Sequence, residues 1–188
     1  SVENVHFRRA WLLPEEIGYR AVTAAVSDLA AMAASPLAMV VALTIPVAWR
    51  EQNGALADGI AAAARATGTP IVGGDLTRGG ELSLGVTVLG AVERPLTRDG
   101  ARSGNVVWVT GRLGGPGLAL DALAAARTPA AEHRARFAHP VARLREAQWL
   151  ERHGATAAID CSDGVAADLA HIAAASGMRI VLDLDRLP

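Results

Sequence analysis

The sequence contains no lysine; all eighteen of its basic residues are arginine. A Walker-type phosphate loop needs its Lys, and Schiff-base chemistry needs a Lys amine, so both are excluded. The single cysteine, Cys161, excludes an internal disulfide framework and a multi-cysteine zinc site, and is neutral about compartment. Aromatic residues are scarce at 4%, and the four tryptophans are too scattered for a stacking stripe. Excess charge of either sign is also missing. Eighteen basic residues face nineteen acidic ones, for a net charge of -1, which gives no reason to expect nucleic acid or an anionic membrane as partner. There is no unbroken apolar run of membrane-spanning length. The most apolar stretch, Leu37 to Val47, is too short and contains Pro46. Glu3 and His6 fall where a leader would be apolar, so a cytoplasmic protein is expected.

What is present is alanine, 40 residues of 188, in a chain that is 51% hydrophobic and 20% charged. That composition belongs to a folded protein, and the length suits one large domain or two small ones. The chain begins with Ser1 rather than Met and ends on IVLDLDRLP, so it reads as part of something longer. SVENVHF alternates Val2, Val5 and Phe7 imperfectly and reads as a strand or its exit. Pro14, Glu15 and Glu16 open a helix reaching about Ala34, small-sided throughout, with room left beside Ser27 and Asp28. A strand over 37–45, a helix over 51–67 closed by Gly68, the short strand TPIVGGD and a strand over 82–92 follow. This is β-α-β-α-β-β, with parallel and antiparallel pairing mixed. The polar, turn-rich stretch 93–105 is the best domain boundary. Beyond it VVWVTG, ATAAID and MRIVLDL read as strands, and helices are expected near 118–126, through VARLREAQWLERHG, and through VAADLAHIAAASG up to Gly177. Residues 128–140 read as loop or broken helix.

Three places could carry chemistry: Gly73-Gly74-Asp75-Leu76-Thr77-Arg78-Gly79, Asp160-Cys161-Ser162-Asp163-Gly164, and Ser27-Asp28. The first two are expected at strand exits, where ligands gather in open α/β sheets. Gly73 and Gly74 let backbone approach a ligand closely. Asp160 and Asp163 could face one pocket across a turn. Clustered carboxylates repel one another, and a divalent cation is the usual resolution. Mg²⁺ takes carboxylate oxygens, waters and substrate phosphates and needs no His or Cys. Arg78 and Arg98 could meet phosphate oxygens bidentately. The plainer readings stand beside these: Asp163 as a helix cap, Asp28 as a solvent-facing residue, GGD as a tight turn, His6 as a strand-end histidine. Cys161 reads as a buried strand-end thiol rather than a nucleophile. The remaining histidines read as surface or packing residues.

VENVHF at 2–7, IGYRAVTAAVSDLAAMAASP at 17–36, GGDLTRG at 73–79, TRDGARSGN at 97–105 and DCSDGVAADLAHIAAASG at 160–177 carry a resemblance. In order and spacing they resemble the thiamine-monophosphate kinase family, of the superfamily of aminoimidazole ribonucleotide synthetase and selenophosphate synthetase. The resemblance implies ATP-dependent phosphorylation of thiamine monophosphate to thiamine diphosphate, by direct in-line transfer with Mg²⁺. Carried over position by position, it implies Mg²⁺ ligands at Asp28, Asp75, Asp160 and Asp163, with Asp28, Asp75 and Asp160 central to catalysis. Nucleotide contacts are implied at Gly74, Asp75, Arg98 and Ser162, and a thiamine-phosphate contact at His6. Arg78 receives no firm role.

The implied fold is α/β with two domains, 1–97 for dimerisation and ATP/Mg²⁺ binding and 98–188 as the first part of a C-terminal α/β domain. The N-terminal domain is expected to contribute a four-stranded mixed sheet that closes into a barrel in a homodimer. The sequence departs from the pattern at Asn4, where Gly is usual, at Asn105, where Asp is usual, and near Ala34, where Gly follows the Met-Ala pair. The pattern also places an early metal-binding Asp and a Ser-Thr-Asp segment before the VENVHF match, and acidic and aromatic substrate contacts beyond the last residue. The competing readings are a sister enzyme of the superfamily acting on another substrate, a nucleotide-binding fragment without turnover, and a structural dimer whose carboxylates are caps.

Overall fold

The computed structural model describes residues 1–183 and 185. Its first helix, α1 (Pro14–Ala31), starts where the sequence places it. Proline supplies the preset φ of a first turn, and Glu15 and Glu16 face the positive end of the helix dipole. Glu16 also reaches back to accept the backbone N–H of Leu13 at 2.8 Å, which satisfies one of the orphan donors of the first turn. The helix stops earlier than Ala34. The Ala33 N–H donates to Ala30 and the Ala34 N–H to Leu29, each at 2.9 Å, while Ala33 takes φ 59°. This is a Schellman ending built on an alanine, in the left-handed region where a Cβ is costly. The glycine usual near this point in the resembling family answers that geometry. Replacing Ala33 with Gly should therefore stabilise the protein by about 1 kcal/mol, read as a rise in denaturant midpoint at unchanged slope.

Helix α2 (Asn53–Thr67) follows a short 3₁₀ turn, Val47–Gln52, and ends at Gly68 in the left-handed region. It crosses α1 at very short range. A Cβ on Gly18 would meet the carbonyl oxygen of Leu56 at 2.3 Å, and one on Gly59 would meet that of Glu15 at 1.9 Å. α1 lies against β1 and β3 of a three-stranded sheet of order β2-β1-β3, made of β1 (Ser35–Ile45), β2 (Ile71–Arg78) and β3 (Ser83–Ala91), while β2 is left exposed. β1 pairs with β2 in parallel and with β3 antiparallel, so the mixed pairing is as expected. The core is drawn from these layers: Ile17, Val22, Val26, Met39, Trp49, Leu56, Leu82 and Leu84 are all nearly inaccessible. The expected fourth strand is not formed. Val2 makes one isolated bridge to Ser83, and the chain then turns, with Asn4 at φ 62° and the N–H groups of Val5 and His6 both donating to Val2. Asn is the residue that tolerates this conformation best after Gly, which is why Asn can stand where the family has Gly.

Past residue 91 the described structure is helical and irregular: α3 (Gly115–Ala124), α4 (Ala131–Ala138), α5 (Leu144–Arg152) and α6 (Val165–Ser176). α3, α5 and α6 fall where helices were expected, and α6 ends at Gly177 with φ 62°. α4 takes the helical alternative of the loop-or-broken-helix reading of 128–140, anchored by the buried Phe137 and Ala138. The strands expected at VVWVTG, ATAAID and MRIVLDL are absent from the described residues, of which Leu184 is not one. A strand exists only when a neighbour takes its backbone hydrogen bonds along its length, and among the described residues these segments make just one such bond to a distant segment, from the Ala158 N–H to the Thr97 carbonyl at 3.1 Å. Val106, Trp108 and Val181 stay more than 70% exposed as a result. No helix among the described residues is long and apolar enough to cross a membrane.

Candidate functional site

An open cleft of about 390 Å³ lies between α1, β3 and the second half of the chain. Ala21, Ala24, Ala25 and Asp28 line one side at the 3, 4 and 7 spacing of a single helical face. The small side chains keep that face low, so Asp28 stands clear of it. Leu84 and Val86 of β3 contribute apolar surface. Arg98, Asp160 and Ser162 approach from the second half. The two halves touch at the cleft: the Ser27 hydroxyl donates to Asp160 Oδ2 at 3.5 Å. The cleft thus assembles Asp28, Arg98, Asp160 and Ser162, residues separated by up to 134 positions in the chain.

Asp160 is held above the ordinary carboxylate range. Burial is the largest cause and the charge of Asp28 the next, with Asp168 adding to it; a backbone hydrogen bond and the Ser27 hydroxyl pull the other way. Asp160, with its charge made costlier by Asp28, and Asp28 itself, beside an arginine, form a hard-oxygen donor set that suits a divalent cation. Arg98 is exposed at the rim, in reach of an anion entering from solvent.

The other sequence candidates stand outside the cleft. Asp75 lies within β2, paired with Ala42, rather than at a strand exit, because β2 continues to Arg78. With β1 between β2 and β3, it sits two strand spacings, roughly 10 Å, from the strand that lines the cleft. Gly74 has a packing reason to be glycine: a Cβ there would meet the Val41 carbonyl oxygen at 2.0 Å. Asp163 is exposed in the turn before α6 and makes no capping bond. His6 is exposed, its Nδ1 accepting the Val2 N–H at 3.1 Å. Arg78 ends β2, in register with Ile45. Among the described residues no three of His, Cys, Asp and Glu converge closely enough to hold a metal by themselves.

Cys161 corrects one expectation and supports another. It is exposed and outside any strand, because ATAAID forms none. Partial burial of the sulfur, then the Asp168 and Asp160 carboxylates, push its thiol up to about 11, which is the opposite of what a nucleophile needs. Asp168 itself went unnoticed in the sequence. It is a buried acid in the first turn of α6, 3% exposed, and it accepts the Gly164 N–H at 3.1 Å. The only signal for it was an acid one turn after the DCSDG segment, which reads equally well as a surface residue.

Comparison with known proteins follows the same lines. The family model for the AIR synthase related protein, N-terminal domain, matches residues 1–92. A thiamine-monophosphate kinase of Mycobacterium tuberculosis is 36% identical over 184 residues, covering 96% of this chain and 55% of the relative. The crystal structure of thiamine-monophosphate kinase from Stenotrophomonas maltophilia K279a superposes with a TM-score of 0.85 at 36% identity, over 93% of this chain and 58% of that one. The structure of AaThiL complexed with AMPPCP and TMP gives 0.84 at 30% identity, over 94% and 58%. The chain spans a little over half the length of the relatives it matches.

Proposed function

Because the chain is a homologue of the thiamine-monophosphate kinases, we propose that it supplies the nucleotide- and Mg²⁺-binding part of an enzyme that phosphorylates thiamine monophosphate with ATP. In that reaction a phosphate oxygen of thiamine monophosphate attacks the γ-phosphorus of ATP. The bond to the β,γ-bridging oxygen breaks, and thiamine diphosphate and ADP are formed. The observation that carries the reading is the cleft itself, in which Asp28 and Asp160 face each other beside Arg98 and Ser162. A solved relative in complex with AMPPCP and TMP supports it.

The donor chemistry fits Mg²⁺: two carboxylates line one cleft, Asp28 makes the charge of Asp160 costlier, and an ion that keeps waters and takes phosphate oxygens needs no more protein ligands than that. Asp28 and Asp160 would hold it, and when bound it would neutralise phosphate charge. Arg98 orients the phosphates through its guanidinium fork, and Ser162 presents a hydroxyl to the nucleotide. Nothing more nucleophilic is required, because phosphoryl transfer rests on positioning and charge neutralisation. Asp75 and Asp163 are proposed as further Mg²⁺ ligands, Gly74 as a nucleotide neighbour and His6 as the thiamine-phosphate contact. These four reach the cleft only with additional groups between them and it, such as metal-bound water, substrate or a partner subunit. A homodimer is proposed on the same footing. β2 is a fully exposed edge strand, and edges of that kind are closed by pairing. A division near residue 97 and a cytoplasmic location complete the reading.

The separation of Asp75 from the cleft favours one second reading, nucleotide binding without turnover. A coupled assay on the full-length protein with ATP, Mg²⁺ and thiamine monophosphate decides between them. Thiamine diphosphate that appears only with all three supports the kinase. Mg²⁺-dependent AMPPCP binding without product supports the second reading, and the absence of both product and binding would overturn both.

A further inference from the structure

We propose that Asp168 is a positioning residue whose buried carboxylate fixes the Asp160–Gly164 turn and so aims Asp160 and Ser162 into the cleft; this rests on reading the cleft as a nucleotide site. An aspartate only 3% exposed is unusual without a cation, and among the described residues no arginine or histidine is ion-paired with it. Its partners are instead the turn. Gly164 N–H donates to Asp168 Oδ2 at 3.1 Å, while the Asp168 N–H donates to the Gly164 carbonyl at 3.0 Å, so the two residues are locked reciprocally. The positive end of α6 offsets part of the carboxylate's burial.

A simple helix cap needs none of this. An exposed Ser or Asp at the cap position does the same work for α6 without burying a charge. Here the acid lies one residue deeper than a capping-box partner would. What it gains from that depth is reach across the turn. The turn is then pinned at both ends: Asp160 by the Ser27 hydroxyl and Gly164 by Asp168, with Ser162 held between them. Gly164 takes φ 113°, open only to glycine, and a Cβ there would meet nothing. The glycine is therefore required by the shape of the turn and not by crowding.

The test uses the full-length protein and two variants. Asp168→Ala removes the acceptor. Gly164→Ala strains the same turn while leaving Asp168 and the core intact. Each should lower kcat and weaken Mg²⁺-AMPPCP binding by about 10- to 100-fold, the usual cost of losing a group that orients a ligand residue. The KM for thiamine monophosphate should stay within about twofold, since ground-state binding of that substrate does not depend on the turn. Amide exchange over 160–165 should rise while the middle of α6 stays protected. A lost cap alone would lower the melting temperature and leave the kinetic split untouched. Folded Asp168→Ala with wild-type kcat and AMPPCP affinity overturns the proposal. If that variant does not fold, Gly164→Ala with wild-type values overturns it equally. Should the wild-type protein neither turn over nor bind AMPPCP, the nucleotide reading fails on its own. Amide exchange then still decides whether Asp168 holds the turn.

Discussion

Asp160→Asn should make the metal-free protein more stable and the enzyme nearly inactive. The two effects have one cause. Asp160 is raised above the ordinary carboxylate range chiefly by burial and then by the charge of Asp28. A carboxyl whose folded value lies above its unfolded value binds its proton more tightly in the folded state. Stability therefore falls as pH rises from the ordinary carboxylate range through the raised one, and above that window the full cost is present. At neutral pH the wild-type protein carries this cost, and the neutral amide does not. Asparagine keeps an oxygen to accept from Ser27, so the contact at 3.5 Å can survive. The melting temperature of Asp160→Asn should exceed that of wild type at neutral pH without divalent cation, and the gap should close on acidification. Adding Mg²⁺ with AMPPCP should reverse the order, because ligand binding stabilises only the protein that binds it. Turnover should fall on the order of 10²- to 10³-fold, the scale for removing one preorganised charge from a phosphoryl-transfer site. A destabilised Asp160→Asn, or one with near-normal kcat, would contradict the metal-ligand assignment.

That stability is given up at Asp160 marks the place where sequence and structure agree best. The small residues before Asp28 announced an accessible carboxylate, and Ala21, Ala24 and Ala25 do line the cleft beside it. Local signals of this kind, like the Pro-Glu-Glu start of α1 and the glycine ends of α2 and α6, act within one turn of helix and can be read in order. Strands beyond residue 91 could not be read the same way. VVWVTG has the composition of a strand, but a strand depends on a partner far along the chain. GGD was expected at the exit of its strand, with a tight turn as the plainer reading. Here close approach to Val41 uses one of them inside β2. α4 was only half legible, as loop or broken helix, because AEHRARFA is mostly polar and Phe137 alone does not set a period. The meeting of Ser27 with Asp160 lies beyond any local pattern, since only the packing of the second half on α1 brings them together.

The joint that produces that packing carries the second large expectation: Glu16→Ala should cost about 3 kcal/mol, or roughly 6–12 °C in melting temperature for a chain of this size. Glu16 is buried at the start of α1 and accepts from Arg134 of α4 at 2.6 Å as well as from Leu13. Beside it, Arg20 lies over the Phe137 ring at 4.4 Å and donates to the Phe137 carbonyl. Arg20 is held below its ordinary value, first by burial and then by the charge of Arg134, with Glu16 opposing both. One carboxylate thus offsets the charge of two guanidiniums. Removing it leaves two cations facing each other in a half-dry joint, and the N-terminus of α1 loses its acceptor. Arg134→Ala should cost less, because Glu16 retains the Leu13 N–H and its attraction to Arg20. The double variant should regain part of what Glu16→Ala loses, since the surviving Arg20 no longer meets a second cation. Denaturant unfolding of the four proteins checks this directly. Strictly additive losses, or a Glu16→Ala midpoint equal to wild type, would show that the joint is held by its apolar contacts alone. The functional consequence follows from geometry. Asp28 comes from α1, while Arg98, Asp160 and Ser162 come from beyond it. A loosened α4 lets the two sides of the cleft drift apart, and the KM for ATP should rise in Glu16→Ala even at temperatures where the protein remains folded.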